Sequence, residues 1–435
     1  MAVPNVVAVL MKASSVSSER NLRSCNSLTP GSAAGSLTAV SVVPIRPVQP
    51  AGGGVGAILQ LIRSGQATTP ADLAALTGLA RSTVAQRVDA LIAHRLLVAR
   101  GDSQSTGGRP PTMLAFNHEA GVVLSGDLGA THSRVGVTDL GGHVLAQTTR
   151  DIAIAEGPDT VLAWLESAFD GLLAEIGRGA ADVRGVGVGL PGPVAFATGQ
   201  AVNPPIMPGW DRYPVGARLS QRYGVPALVD NDVNIMAVGE HWSNWRDEAF
   251  LLFVKIGTGI GSGIVAGGHV HRGADGAAGD IGHIHVPDHD DLVCRCGNRG
   301  CLEAFAGGGA MAARLRDLGL PTQTSRDVVD QVRAGRPEAV QLVREAGRTI
   351  GGVLATCVNM LNPAVIVIGG DVARADEPLM AGIREVVYRR SLPLATGRLR
   401  IVRSKLDDGA GVIGAAVMVL EDVLAPAAVD AALAG

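Results

Sequence analysis

The sequence predicts a small winged helix-turn-helix head followed by a larger α/β body. Three observations point there. Residues 55–118 run helix, short helix, turn, helix, hairpin. From Gly121 onward, short apolar runs of strand length alternate with helical stretches and glycine-rich turns. Charge is also split along the chain. Residues 1–120 carry 10 Lys or Arg against 5 Asp or Glu, so a formal net charge of −3 leaves −8 on the remainder. A basic head on an acidic body suits a nucleic-acid reader joined to something else.

Composition narrows the class further. A chain of 435 residues exceeds one compact core, so two or three domains are expected. Hydrophobic residues at 47% and charged residues at 18% exclude wholesale disorder. The 58 glycines follow no G-X-Y period, which excludes a collagen-like chain. No run of 18 apolar residues offers a membrane span. Residues 1–10 lack the basic-then-apolar pattern of a signal peptide. Five cysteines cannot build a disulfide framework, and three of them crowd into eight residues. That spacing suggests a metal in a reducing, cytoplasmic compartment.

The elements follow in order. Residues 1–50 are rich in Ser, Pro, Ala and Gly and keep no period. They read as a disordered tail or as a mis-assigned start. Val55, Ile58, Leu59 and Ile62 have helical spacing. A second helix opens at Thr69-Pro70-Ala71-Asp72, with Thr69 as N-cap and Asp72 beside the exposed amides. It stops at Gly78. A third helix puts Val84, Val88, Leu91 and Ile92 on its apolar face. Extended pieces at 96–100 and 112–116 flank Gly107-Gly108-Arg109-Pro110. In the body, 122–124 and 133–137 read as strands joined through 127–131. A helix is expected at 160–175, and buried strands at 183–189, 227–229, 250–256 and 365–368. Helical stretches at 340–361 and 411–423 separate or follow them. Glycine turns sit directly after strands, where α/β sheets form their ligand crevice.

Chemistry concentrates in four places. The polar face of the third helix carries Arg81, Ser82, Thr83, Gln86 and Arg87, short groups and arginines suited to base edges. Arg109, between two Gly and two Pro, is placed to enter a minor groove from the wing. The competing reading is a protein-binding winged helix with a solvated polar face. Asp127-Leu128-Gly129-Ala130-Thr131 and Gly257-Thr258-Gly259-Ile260-Gly261-Ser262-Gly263 each follow a strand. Such turns bring backbone amides close to an anion, and an Asp there can hold a metal-bound water. Together they suggest the two phosphate loops of an actin-like ATPase. Asn231-Asp232 also ends a strand; it is either a helix cap or the site of a carboxylate that accepts a hydroxyl proton. Finally, Cys294, Cys296 and Cys301 with one imidazole make a closed, structural zinc site, for which spacing admits either His283 or His285.

These residues resemble the ROK family, sugar kinases and sugar-responsive transcriptional repressors with an actin-like, ribonuclease H-like two-lobed fold. Cys294 to Glu303 matches its Cys-x-Cys-Gly-x-x-Gly-Cys-x-Glu run, and Gly279-Asp280-Ile281-Gly282-His283 matches its Gly-Glu-x-Gly-His motif. The likeness runs from about Ala51 to the C-terminus and is nearest the repressor branch, which carries the winged head. It implies a head at 51–118, a small lobe at 119–237 completed by 411–435, and a large lobe with the zinc site at 238–410. It implies sugar contacts at Asn203, Asn231, Asp232, Asp280, His283 and Glu303, with His283 doubling as zinc ligand. It implies nucleotide contacts at Asp127, Gly129, Thr131, Gly257, Thr258, Gly259, Gly261, Gly369 and Gly370. ATP with Mg2+ would bind, with Asp232 as catalytic base, only in the kinase alternative.

The implied partners are operator DNA and a sugar or sugar phosphate effector, with no membrane, in a homodimer or homotetramer. The pattern departs from the family at Ala130 for Gly, Asp280 for Glu, and Asp371 for a small residue. Ala130 would cost roughly 1–2 kcal/mol if its φ were positive. Asp280 is shorter than Glu by about 1.5 Å. Lys255 stands beside the second phosphate loop, either pointing into the cleft or snorkelling out of it.

Overall fold

The computed structural model describes residues 53–100 and 113–434. The expectations for residues 1–50 and for Arg109 lie outside the described residues. The head contains α1 (Val55–Arg63), α2 (Pro70–Thr77) and α3 (Arg81–Ala93), then β1 (Leu97–Arg100) paired antiparallel with β2 (Met113–Phe116). Helix α2 starts as its sequence demands. Thr69 Oγ1 accepts the Asp72 amide at 3.2 Å and Asp72 Oδ2 accepts the Thr69 amide at 2.9 Å, so two orphan donors are satisfied reciprocally. Val84, Val88 and Leu91 are buried under α3, but Ile92 is 36% exposed. Ile92 lies in the last turn of α3 and is left out of the buried face, which is one residue narrower than its spacing suggests.

The body holds two five-stranded sheets. The first comprises β3 (Val122–Leu128), β4 (Ser133–Asp139), β5 (Val144–Arg150), β6 (Val183–Leu190) and β9 (Ala227–Asn231). Helix α4 (Pro158–Glu175) precedes β6. The short hairpin β7 (Val194–Ala195) and β8 (Gln200–Ala201), then α5 (Val215–Tyr223), precede β9. After α6 (Asp232–Asn244), the second sheet begins with β10 (Phe250–Ile256), β11 (Ile260–Ala266) and β12 (His269–Val270). Four helices follow, α7 (Leu302–Ala306), α8 (Gly308–Asp317), α9 (Ser325–Arg333) and α10 (Pro337–Leu361). Then come β13 (Val365–Gly369), α11 (Glu377–Arg390), α12 (Pro393–Thr396) and β14 (Arg400–Arg403). The chain closes with α13 (Ala410–Val423) and α14 (Pro426–Ala434).

Both sheets repeat one plan. The spatial orders are β5-β4-β3-β6-β9 and β12-β11-β10-β13-β14. In each, the first three strands form an antiparallel meander, and the last two run parallel to the first. This duplication is the actin-like plan. Helix α13 packs on β3 and β6, α6 packs on β10 and β11, and the two helices pack on each other. Their backbones nearly touch: a Cβ on Gly414 would come within 1.6 Å of the Ile235 carbonyl, and one on Gly239 within 2.1 Å of that of Ala410. Only glycine permits this contact. Residue 237, the expected lobe boundary, therefore falls inside a helix that joins the two sheets.

The C-terminal helices also reach the head. Val419, Leu420, Leu424 and Val429 share one buried cluster with Ile58, Leu59, Leu73 and Leu91. Asp430 Oδ1 accepts the Gly56 amide at 2.8 Å, capping the first turn of α1. Among the described residues, no single helix is long and apolar enough to cross a membrane.

Candidate functional site

A cleft of about 510 Å3 opens where the strand ends of the two sheets meet. The duplicated topology places two residues at matching points. Asp127 is the penultimate residue of β3 and Lys255 the penultimate residue of β10, each beside a glycine turn. Both line the cleft. Lys255 points inward, where its Nζ donates to Asp232 Oδ2 at 2.5 Å. Burial works against this ammonium, but the carboxylates of Asp232 and Asp127 outweigh it and raise the lysine above its ordinary range. Burial also pushes the Asp127 carboxyl up to about 7, since Lys255 offsets only part of the desolvation. Among the described residues, Asp127 Oδ1 has no hydrogen-bond partner.

Asn231 and Asp232 divide their work. Asn231 caps α6, its Oδ1 accepting from the amides of Val233 at 2.9 Å and Asn234 at 3.3 Å, and its Nδ2 donating to the Gly192 carbonyl. Asp232, the first residue of α6, is turned into the cleft. Asp280, His283 and Glu303 line the opposite wall. His283 Nε2 lies 3.9 Å from Asp280 Oδ1, and its Nδ1 lies 4.0 Å from Glu303 Oε1. Burial raises the Asp280 carboxyl; His283 opposes this and Glu303 adds to it. Asn203 is exposed and outside the cleft lining; Pro205 and Ile206 of the same segment reach it instead.

The glycine turns take their expected positions. Gly129, Thr131, Gly257, Thr258, Gly259, Gly261 and Gly370 line the cleft, whereas Gly369 stays within β13. Ala130 is not among the residues with positive φ, so its methyl carries no backbone strain. Asp371 is tied back: its Oδ2 accepts from Ser325 Oγ at 2.8 Å, and Arg326 Nε lies 3.4 Å from its Oδ1. Two charge groups give no sequence signal, because their members are far apart in the chain. Asp408 at the cleft receives Arg374 at 2.6 Å and Arg134 at 3.4 Å. Buried Asp230 receives Arg272 at 2.8 Å and orients the first turn of α6 through Asn234.

The cysteine cluster adjoins the same wall. The donor atoms of His283, Cys294, Cys296 and Cys301 all lie within 4.8 Å of one another. Cys294 Sγ is 3.6 Å from His283 Nδ1, and the Cys296 and Cys301 sulfurs are 3.7 Å apart. A tetrahedral ion with Zn–S near 2.3 Å needs edges of about 3.8 Å, so the donor set and its spacing fit zinc. His285 is excluded from the cluster by its own partner, Asp290, at 2.6 Å. Burial pushes the Cys294 thiol upward, and a bound cation would reverse that. The turn at Gly297, with φ of 92°, returns the chain so that Cys301 becomes the N-cap of α7.

In the head, Arg81, Ser82 and Gln86 are exposed on α3, and Thr83 and Arg87 are half-buried. One Arg87 nitrogen is buried beside Gly53, without a partner among the described residues.

The ROK family profile matches residues 123–422, more than half of the chain. The chain belongs to the ROK family. An IclR helix-turn-helix profile matches residues 55–101 of this ROK protein. It is 28% identical to the xylose repressor of Caldicellulosiruptor bescii over 381 residues, 84% of this chain and 95% of that one. It is 30% identical to the glucokinase of Thermotoga maritima over 312 residues, 68% of this chain and 96% of that one. The solved structure of a ROK family transcriptional regulator, a homolog of the E. coli MLC protein, matches with a TM-score of 0.74 and 27% identity. That match covers 88% of this chain and 98% of the regulator. The glucokinase match is shorter than the other two by about the length of the head.

Proposed function

We propose that this ROK protein is a sugar-responsive, DNA-binding transcriptional repressor. The observation that carries the reading is the union, in one chain, of a helix-turn-helix head with a two-sheet cleft walled by sugar-type polar groups. The named repressor among its relatives spans both parts. Asn231, Asp232, Asp280, His283 and Glu303 hold the sugar hydroxyls in this reading, and Arg81, Ser82, Thr83, Gln86 and Arg87 face the operator. A structural zinc on His283, Cys294, Cys296 and Cys301 fixes the wall that carries Glu303. A homodimer or homotetramer in the cytoplasm presents two α3 helices about 34–36 Å apart, one turn of DNA. Sugar binding that alters this spacing changes operator affinity only if the sugar prefers one of the two shapes.

The test is selection of genomic DNA fragments by the full chain, repeated with a sugar panel headed by xylose. Specific fragments released by one sugar support the reading, and Arg81→Ala should then lose roughly 1–3 kcal/mol of operator affinity. No enrichment under any condition refutes it. A second reading, an ATP-dependent sugar kinase, is favoured by the retained Asp232 and both glycine turns. Release of ADP above an Asp232→Asn control, over hexoses, pentoses and amino sugars, would establish that reading.

A further inference from the structure

The cleft lining carries seven carboxylates against three Lys or Arg side chains, and it stays net negative when Arg374 on Asp408 and Arg326 on Asp371 are counted with them. A bare polyphosphate is repelled by such a surface. A triphosphate enters it only with a divalent cation that faces carboxylates on one side and phosphates on the other. The carboxylates in position for that cation are Asp127, beside the first glycine turn, and Asp232, where the sugar hydroxyl would be received. Both are at most 8% exposed. The ammonium of Lys255 already stands with them, 2.5 Å from Asp232 Oδ2. It arrives there by topology, because the sixth residue of β10 mirrors the sixth residue of β3. A lysine at this point puts a fixed positive charge where a kinase needs an exchangeable one. It also occupies Asp232 Oδ2, which would otherwise take the hydroxyl proton.

We propose that Lys255 is a resident cation in the divalent-metal seat, so that the cleft holds its sugar without nucleotide and leaves it unphosphorylated. The residues present do not fit Mg2+ with ATP, because the charge that Mg2+ would supply is built into the chain. The inference rests on the sugar-receptor reading for its ligand, but the role of Lys255 is measurable without any sugar. It makes the sugar the sole small-molecule signal, read independently of adenylate charge.

The experiment compares the full-length wild type with Lys255→Met and Lys255→Arg. Melting temperature is measured with and without millimolar Mg2+, and calorimetric titrations use a non-hydrolysable ATP analogue with Mg2+, and then the sugar panel. The wild type and Lys255→Arg should ignore Mg2+, and sugar affinity should be unchanged by withholding Mg2+ or by adding the analogue. Lys255→Met leaves two facing carboxylates uncompensated. It should therefore gain at least about 2 °C on adding Mg2+ and bind the Mg2+–analogue complex at least roughly tenfold more tightly than wild type. If Lys255→Met fails to fold in Mg2+-free buffer, recovery on adding Mg2+ supports the seat and no recovery overturns it. A wild type that binds the complex, with Lys255→Met losing it, also overturns the proposal and makes Lys255 a phosphate ligand. A Lys255→Met as indifferent to Mg2+ as wild type does the same. If no protein binds any sugar, the receptor reading fails while the Mg2+ response still decides the role of Lys255.

Discussion

A single carboxyl shows how position overrides residue type. Asp127 was legible as a strand-end acid beside a glycine turn, but its ionisation was not, because that depends first on burial in the fold and then on Lys255 and Asp232, more than a hundred residues away. Burial lifts its folded-state value from 3.8 to about 7. The unfolded chain therefore gives up this proton first. Its contribution to stability is fully present below about pH 4, and is lost as pH rises through about 7. Asp127→Asn keeps the shape and removes the titration. The melting temperature of Asp127→Asn minus that of wild type should rise steadily from pH 5 to pH 8 and then level off. Parallel curves for the two proteins across that range would show that Asp127 titrates normally.

At the scale of elements, the sequence was most informative where a local rule fixes the geometry. The capping box at Thr69 and Asp72 and the halt at Gly78 needed only neighbouring residues, and α2 forms between them. The return of Cys301 toward Cys296 through a tight glycine turn was equally local. The choice between His283 and His285 was not local, since it depends on Asp290 holding the second imidazole aside. The exposure of Ile92 was likewise not set by the period of α3, which places it on the apolar face. The cysteine loop carries its own prediction. Cys301 caps α7, and Glu303 is the second residue of that helix. An ion on the four donors would thus fix a cleft residue through one turn of helix. Cys296→Ser opens the closed donor set, so it should lower zinc content from one ion per chain, reduce the melting temperature and weaken sugar binding together. Unchanged zinc and an unchanged melting temperature would remove the metal from the account.

Across the whole molecule, the question is how a cleft between two sheets reaches a DNA-binding head. No sequence pattern marked the route, because α13 and α14 look like an ordinary apolar C-terminus. In the fold, α13 begins against Asp127, where a Cβ on Gly411 would meet the carboxylate at 2.1 Å, and its far turns enter the head's core. Its 14 residues span about 21 Å as one rigid element. Beyond it, α14 places Asp430 on the Gly56 amide in the first turn of α1. A shift of α13 on sugar binding would therefore reach the head through this cap as well as through the shared cluster. Asp430→Ala removes that link while touching neither the cleft nor α3. Sugar affinity of the free protein should stay as in wild type, and the stability cost should be near the ~1 kcal/mol of a lost cap. The effect of sugar on operator affinity should shrink from a coupling of the usual 5–150-fold range toward none. Linkage makes the test two-sided: operator DNA must change sugar affinity by the same factor, so both effects must shrink together in Asp430→Ala. Full coupling measured in both directions in that variant would mean that the signal reaches the head without the cap, through the buried cluster that Val419, Leu420, Leu424 and Val429 share with Ile58 and Leu59 or through the covalent connection from β2 to β3.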